Sequence, residues 1–575
     1  MASYLEVYQK WLSLDSLTEA DRSELESISD DDQELNSRFS RSLSFGTAGL
    51  RGIMRMGTNA MNVYTVAQAT TGLAMYIKSV ECGDRSVVIA YDSRNNSELF
   101  AKTSAEVLAA NGIKCYIFDS LRPTPELSFA LRYLNCIAGI NITASHNPKQ
   151  YNGYKAYWDD GAQLSPDQAT EIAAFMQQVD IAEIKKTPFE DGIQSGMITL
   201  IGQEIDEKYL EAVVEQAIDI DVIKKVSDDL NIVYSPLHGA GYRLVPEIIS
   251  KIGIKNFHVV PEQATPDGEF PTTKKPNPEY PEVFSYGIDM ADKVGSDLII
   301  ATDPDADRVG IMVREQNGQF VALNGNQTGS LLLDYIINSY IRSGNMPHEP
   351  YAVKSIVTTE LMSKICNDHN VTLYNVLTGF KYIGEVIKKK EQQGRGTFIF
   401  GAEESYGYLK GTYARDKDAV VATMLICEMT AYYKLRGMTL ADALNSLYDK
   451  YGYSLEVTQE MIFDGHNGIA EMQDIMKSFR TSPLKSIGGI DIAETSDYLS
   501  GEVVNMRDLS KSSTGLPCSD VIRFRLDNDD VIIIRPSGTE PKIKAYYLLS
   551  APDKTNAQQK LAAYKADISD FTTNK

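Results

Sequence analysis

One pattern recurs three times along this chain and limits its fold more than any other feature: an apolar run, a helix-length stretch, and further apolar runs, the last ending in a polar loop. The first copy reads VVIAYDSR (Val87 to Arg94), GIKCYIF (Gly112 to Phe118) and IAGINITASHNP from Ile137. The second reads NIVYSPLHG (Asn231 to Gly239), GIKNFHVV (Gly253 to Val260) and SDLIIATDPDADR from Ser296. A weaker third copy reads YAVKSIVTTE (Tyr351 to Glu360), NVTLYNV (Asn370 to Val376) and GTFIFGAEESYG from Gly396. Short strands alternating with helix-length segments predict right-handed βαβ units and largely parallel sheets. The expected fold class is α/β, with three similar domains of mixed, largely parallel sheets plus a smaller α+β C-terminal domain.

At 575 residues the chain exceeds one core. The expected divisions are a helical arm over 1–39, α/β domains over 40–205, 206–322 and 323–455, and an α+β domain over 456–575. The last follows from separated strand-like runs, VIRFRLD, VIIIR and KIKAYYLLS, before a closing helix from Thr555. In each repeat the final run delivers its loop at a strand's carboxyl end, where open α/β sheets gather reactive groups. Ser145, Asp303 and Glu403 therefore hold comparable positions, and three such loops can serve one cleft.

The formal charge of -22 argues against a general nucleic-acid surface, which needs clustered positive charge. An anionic substrate stays compatible if basic residues concentrate at one site. Six scattered cysteines lack a CxxC pair, which fits a reduced cytoplasmic location. No apolar stretch approaches the ~18 residues of a membrane span, and the first ten residues carry no signal-like core. The expectation is a soluble, unprocessed protein with neither nucleic-acid nor membrane partners; the sequence does not set its oligomeric state.

Ser145 lies in TASHNPKQYNGYK, just past the apolar run ending at Ile142, as a presented nucleophile or as a turn organiser before Pro148. The GxSxG elbow of an esterase is absent. In ATDPDADR, Asp303, Asp305 and Asp307 alternate, and in an extended segment alternate residues share a face. Three converging carboxylates repel unless a cation neutralises them, and oxygen ligands favour Mg²⁺ or Ca²⁺ over zinc. An EF-hand needs Gly and Glu where Arg308 and Arg314 stand.

Near the end, IIIRPSGTEPK offers Arg535 as a bidentate fork, hydroxyls on Ser537 and Thr539, and Gly538 as backbone able to close round an anion. A plain strand-to-turn transition is the competing reading. GAEESYGY adds Glu403, Glu404 and Ser405 as partners for sugar hydroxyls. A glycosidase-like pair is disfavoured because adjacent glutamates on an extended loop face opposite ways.

Taken together, GTAGLRG, TASHNP with NGYK, DPDADR, GAEESYGY and RPSGTEPK resemble the α-D-phosphohexomutase superfamily, in this order along nearly the whole chain. The long N-terminal arm, TGFKYIG (Thr378 to Gly384) and ARDKDA (Ala414 to Ala419) resemble its phosphoglucomutase and phosphopentomutase branch. The resemblance implies four domains around one cleft and an intramolecular phosphotransferase of the isomerase class. It implies that Ser145 carries the transferable phosphoryl group and that Mg²⁺ bridges it to Asp303, Asp305 and Asp307. Arg51, His146 and Lys155 then assist proton and charge transfer, with the general base open among them. Arg308, Thr378, Gly379 and Lys381 line the cleft, Glu403 and Ser405 grip sugar hydroxyls, and Arg535, Ser537, Gly538 and Thr539 hold the unreacting phosphate. The implied reaction interconverts glucose 1-phosphate and glucose 6-phosphate through a bound glucose 1,6-bisphosphate. A phosphopentomutase is the nearest alternative, followed by a phosphomannomutase, a phosphatase or a sugar-phosphate sensor.

Overall fold

The computed structural model describes residues 3–46, 49–81, 85–463, 468–482, 484–537 and 541–573. The chain divides into two compact units. The first comprises Met1–Asn324, Gly384–Phe398 and Ser405–Thr439; the second comprises Gly325–Ile383, Ile399–Glu404 and Leu440–Lys575.

The first unit opens with the expected helical arm: Tyr4–Leu12, Glu19–Ser27 and Asp32–Phe39. Each helix is started by a side chain that accepts an orphan backbone N–H, from Ser3, Thr18 and Asp31 respectively. Tyr8, Trp11, Leu25, Leu35 and Phe39 form its core together with Tyr64 of the next helix.

Two sheets of this unit share one design. The first contains β1 (Leu50–Ile53), β2 (Ser86–Tyr91), β3 (Lys114–Phe118), β4 (Ala138–Ile142), β5 (Tyr151–Trp158) and β6 (Ile198–Ile201), in the order β1-β5-β4-β2-β3-β6. Strands β4, β2, β3 and β6 run parallel, while β5 returns antiparallel to β4 and pairs with β1. The second contains β7 (Asn231–Ser235), β8 (Asn256–Val259), β9 (Leu298–Thr302), β10 (Val309–Arg314) and β11 (Phe320–Leu323), in the order β11-β10-β9-β7-β8. Here three strands, β8, β7 and β9, are parallel and β10 returns antiparallel to its predecessor, β9.

The strands β2, β4 and β9 are buried along their whole length, as their apolar runs require when both faces are covered. Each polar loop is therefore the connection from the last parallel strand to an antiparallel return. That geometry aims the Ser145 loop and the Asp303 loop out of equivalent strand ends.

In the second unit β12 (Pro350–Ser355) lies between β13 (Thr372–Val376), which is parallel to it, and β14 (Thr397–Glu403). Its C-terminal sheet is antiparallel throughout, passing from Tyr453–Ile462 through Lys542–Ala551, Val531–Pro536 and Ile522–Leu526 to Ile490–Asp497. Helices Gly468–Thr481 and Lys554–Thr573 cover it, burying Ile475, Phe479, Tyr564 and Ile568 against Phe524, Ile532 and Tyr547. Among the described residues no helix is long and apolar enough to cross a membrane.

Candidate active site

Ser145 is 3% exposed and adopts φ 53°, the left-handed region that a side chain enters at a cost of roughly 1–2 kcal/mol. Three contacts fix it there. Its N–H donates to Thr143 Oγ1 at 2.8 Å, the N–H of Asn147 donates to the Ala144 carbonyl at 3.1 Å, and Arg94 Nη2 donates to the Ser145 carbonyl.

Arg94 also donates to the carbonyls of Asn147 (2.7 Å), Pro148 (3.1 Å) and Tyr151 (3.2 Å), so one guanidinium staples the whole loop. Asp92 holds that guanidinium at 3.1 Å and accepts from Thr143 Oγ1 at 2.7 Å. Both side chains are fully buried. Gly153 lies directly beneath: a Cβ there would sit 2.5 Å from the Thr143 carbonyl oxygen, which explains the glycine of NGYK.

The Ser145 hydroxyl donates to Asp303 Oδ2 at 2.9 Å and lies 3.1 Å from His146 Nδ1. Asp303, Asp305 and Asp307 are all buried, with ligand-capable atoms within 4.8 Å of one another. They converge through a tight turn in which Ala306 takes φ 49°, not through the alternation of an extended segment. The turn is the correction to the expected geometry: alternation shares a face only in a strand, and β9 ends at Thr302. Asp303 Oδ1 accepts the N–H groups of Asp307 (3.1 Å) and Arg308 (3.0 Å), which ties the turn to itself.

Lys155 Nζ, from β5, reaches Asp305 Oδ2 at 2.6 Å and Asp307 Oδ2 at 3.0 Å. Burial opposes its charge, yet Asp305 and Asp307 hold its ammonium above the ordinary lysine range. Burial also opposes the charge of Asp307, but Lys155, Lys417 and Arg308 keep its carboxyl well below the usual value. Asp303 goes the other way, pushed up by burial and by its two neighbouring carboxylates. His146 is driven well down by burial and then by Arg308 and Arg51, so its ring is neutral near pH 7. Arg51 donates to Asn147 Oδ1 at 3.2 Å, and Arg308 pairs with Glu279 at 2.5 Å.

Asp305 Oδ1 and Asp307 Oδ1 are buried without a hydrogen-bond partner among the described residues. Buried carboxylate oxygens are costly when unsatisfied, and an all-oxygen donor set suits a hard divalent cation. The residues present therefore fit a metal.

Several contributors escaped the sequence reading. Lys417, in ARDKDA, lies 3.3 Å from Asp307 Oδ2. Thr124 donates its hydroxyl to Asp305 Oδ2 at 2.7 Å and its N–H to the Asp305 carbonyl at 2.9 Å, and Asn141 donates to that hydroxyl at 2.6 Å. Arg94 and Asp92 stand some fifty residues before the loop they brace. A dipeptide such as Thr124-Pro125 at a helix start signals a cap, not a partner for an aspartate across the chain.

The second unit assembles its own polar groups. Glu403, buried at the end of β14, accepts the N–H of Gly379 at 2.7 Å, while Glu404 Oε2 accepts from Ser355 Oγ at 3.1 Å. The two glutamates thus turn to different partners, as alternation requires. Thr378 and Gly379 precede the helix bearing Lys381, whose Nζ lies 5.0 Å from the Tyr382 ring centroid. The Tyr546 hydroxyl is pushed up to about 12 by burial and by Glu404, with Arg535 opposing, so Arg535 and the glutamate loop share one neighbourhood. Arg535 is half-buried in its strand, and Ser537 donates its N–H to the Lys542 carbonyl at 2.8 Å, closing the hairpin. Gly538 and Thr539 lie outside the described residues. Ser405, half-buried, begins the last segment of the first unit.

Comparison with known proteins follows the same lines. Residues 42–183, 207–318 and 324–451 match the phosphoglucomutase/phosphomannomutase alpha/beta/alpha domains I, II and III. A phosphoglucomutase of Staphylococcus saprophyticus is 37% identical over 533 residues, covering 92% of this chain and 95% of the relative. One from Staphylococcus aureus is 37% identical over 538 residues, covering 92% and 94%. Among solved structures, a putative phosphomannomutase from Thermus thermophilus has a TM-score of 0.68 at 20% identity, over 92% of this chain and 99% of that one. The open form of pp63/parafusin, a phosphoglucomutase from Paramecium, has a TM-score of 0.68 at 18% identity, over 93% and 96%. These two share the fold.

Proposed function

The chain belongs to the phosphoglucomutase/phosphomannomutase family of α-D-phosphohexomutases, and from that premise we propose that it is a phosphoglucomutase working through phosphorylated Ser145. Curated relatives named phosphoglucomutase match along nearly its whole length. The observation that carries the reading is the Ser145 hydroxyl, buried and 2.9 Å from an aspartate whose two acidic neighbours each keep an unsatisfied oxygen.

In the forward direction the Oγ–P bond of phosphorylated Ser145 breaks as a bond forms from O6 of glucose 1-phosphate; the O6 hydroxyl gives up its proton and Ser145 Oγ takes one up. The resulting 1,6-bisphosphate turns over in the cleft. Its O1–P bond then breaks as a bond forms to Ser145 Oγ, whose hydroxyl gives up its proton; O1 takes up a proton, and glucose 6-phosphate leaves. Phosphoryl transfer asks a protein mainly for in-line positioning and charge stabilisation. Arg94 and Thr143 supply the positioning of Oγ, and Lys155 and Arg308 supply fixed positive charge beside it. Asp303, Asp305 and Asp307 are the residues that would hold Mg²⁺, which would supply Lewis-acid neutralisation of the phosphoryl charge when bound. Glu403 and Ser405 orient sugar hydroxyls, Thr378, Gly379 and Lys381 line their approach, and Arg535, Ser537, Gly538 and Thr539 hold the phosphate that is not reacting.

Burial of Ser145 keeps water, the competing acceptor, from the phosphoserine. The same reading expects a cytoplasmic enzyme, where five cysteines that are free among the described residues stay reduced. Steady-state kinetics with glucose 1-phosphate and ribose 1-phosphate side by side test it. A higher kcat/KM for the hexose supports the assignment; a preference for the pentose overturns it in favour of a phosphopentomutase.

A further inference from the structure

The loop of NIVYSPLHG, at the end of β7, is not used in the reaction described above, yet its backbone is strained. Leu237 and His238 both adopt left-handed backbone, φ 46° and 62°, a region that side chains rarely enter. Further along, Phe270 does the same at φ 46° and is 2% exposed. Strained non-glycine backbone persists only where its surroundings over-determine it, and it gathers at working sites. Around these three residues lie the metal turn on one side and the Ser145 loop on the other.

Toward the metal turn, Gly239 packs so closely on Pro304 that a Cβ there would lie 2.6 Å from the Pro304 carbonyl oxygen. That oxygen accepts the Ala240 N–H at 2.7 Å. His238, 3% exposed, organises the segment after helix Pro261–Ala264. Its Nδ1 lies 3.1 Å from the Thr265 carbonyl oxygen and donates to it, since a carbonyl only accepts. Its Nε2 lies 2.9 Å from Thr272 Oγ1, which also accepts from Gln263 Nε2 at 3.1 Å. The His238 carbonyl takes the N–H of Asp267 at 3.1 Å. One imidazole thus clips both ends of the stretch 265–272.

The middle of that stretch reaches the Ser145 loop. Gly268 lies against the backbone of Arg94 and Asn95, where a Cβ would come within 2.9 Å of the Arg94 carbonyl carbon. Glu269 accepts from Asn95 Nδ2 and from Lys149 Nζ, each at 2.6 Å, but the ion pair is exposed and such pairs contribute little. Phe270 contributes more. The Arg94 guanidinium stands over its ring, with Cζ 5.1 Å from the centroid, and the Arg94 side chain is fully buried. Attraction between a cation and a ring face strengthens when water is kept away. Arg94 commits its in-plane donors to Asp92 and the loop carbonyls, so the ring covers a face that no hydrogen bond can hold.

We propose that Phe270 is a positioning residue for Ser145: it fixes the plane from which Arg94 grips the loop, and His238 fixes Phe270. Residues 265–272 thereby tie the Ser145 loop to the turn that carries Pro304, which keeps the hydroxyl 2.9 Å from Asp303. The effect on rate rests on the mutase reading; the packing does not.

Phe270→Leu keeps the Cβ and an apolar side chain but loses the ring. Two measurements on the full chain read it: steady-state mutase kinetics, and hydrogen exchange of the peptide covering 143–151 followed by mass spectrometry. The expected kcat falls on the order of tenfold while KM for glucose 1-phosphate stays within about twofold, because placement of the reacting group is lost and grip on the sugar is not. Exchange of the loop amides rises on the order of tenfold, and that of β7 keeps its wild-type rate. Should Phe270→Leu not fold, Thr272→Val decides: it keeps the side-chain shape, removes the hydroxyl that meets His238, and moves kcat and loop exchange the same way, while Thr272→Ser restores both. A wild-type kcat, or a loop exchanging as in wild type, overturns the proposal. So does a KM that rises as far as kcat falls, or faster exchange spread evenly over the domain, the mark of a general loss of packing. Absence of turnover in the wild type sinks the mutase reading instead, and the exchange rates then decide the positioning alone.

Discussion

Replacing Arg94 by methionine isolates the contribution of loop bracing. The side chain is fully buried, pairs with Asp92, and donates to four carbonyl oxygens of the Ser145 loop. Breaking a buried ion pair by removing one partner costs roughly 3–5 kcal/mol, because the remaining charge is left without compensation. The loop relaxes at the same time, and a displacement of about 1 Å in a reacting group costs on the order of 10²-fold in rate.

Asp92 lets the two effects be separated. Burial already pushes its carboxyl upward, with Arg94 opposing, so removing Arg94 drives it further up. A carboxyl whose folded pKa lies above its unfolded value favours folding at low pH and loses that contribution as pH rises through the folded pKa. The Arg94→Met deficit therefore grows as pH rises. Asp92→Asn in the same chain removes the stranded charge and recovers at least about 1 kcal/mol of stability. Activity does not return, since the four carbonyls stay ungripped. Thermal unfolding monitored by circular dichroism, paired with mutase kinetics, reads both quantities. A single variant with wild-type turnover, or a double variant that regains activity along with stability, refutes the argument.

Thr124→Ala removes the hydroxyl that orients Asp305 and lowers metal affinity by roughly 10–100-fold, as loss of a partner behind a ligand does; Thr124→Ser restores it, measured by Mg²⁺ titration of activity and by calorimetric metal binding. Chelation abolishes turnover, and Mg²⁺ at about a hundred times its Kd restores it while adding about 2.7 kcal/mol of apparent stability that Asp305→Asn lacks. Glu456, raised to about 7 by burial with its Thr359 hydrogen bond opposing, contributes stability below pH 4.5 that is lost as pH rises through 7. Glu456→Gln should accordingly gain on wild type by on the order of 1–3 kcal/mol at pH 8 compared with pH 5, read from denaturant midpoints.

Much of this was legible in the chain. Short apolar runs such as Val87 to Ala90 read as buried strands when turns and helix-length stretches flank them so closely, and the order of the three repeats follows the sheets. The antiparallel returns β5 and β10 were not visible, because a strand's direction depends on its partner and not on its own pattern. Ser145 and the aspartates announced themselves through local clustering. Arg94, Asp92 and Thr124 did not, since each acts on a residue between about 50 and 180 positions away and carries no local signature beyond a turn or a helix start. The Asp303 turn was misjudged in geometry, because a proline and an αL alanine bend the backbone where alternation would have kept it straight.

The central claim is that Ser145 carries the travelling phosphoryl group. Mass spectrometry of the peptide spanning Ser145, after incubation with glucose 1,6-bisphosphate and Mg²⁺, tests it most directly. The account predicts one added phosphoryl group on that serine, no such addition in Ser145→Ala, and mutase turnover of the variant at background. An unmodified Ser145 in an enzyme that is turning over, or normal turnover by Ser145→Ala, contradicts it.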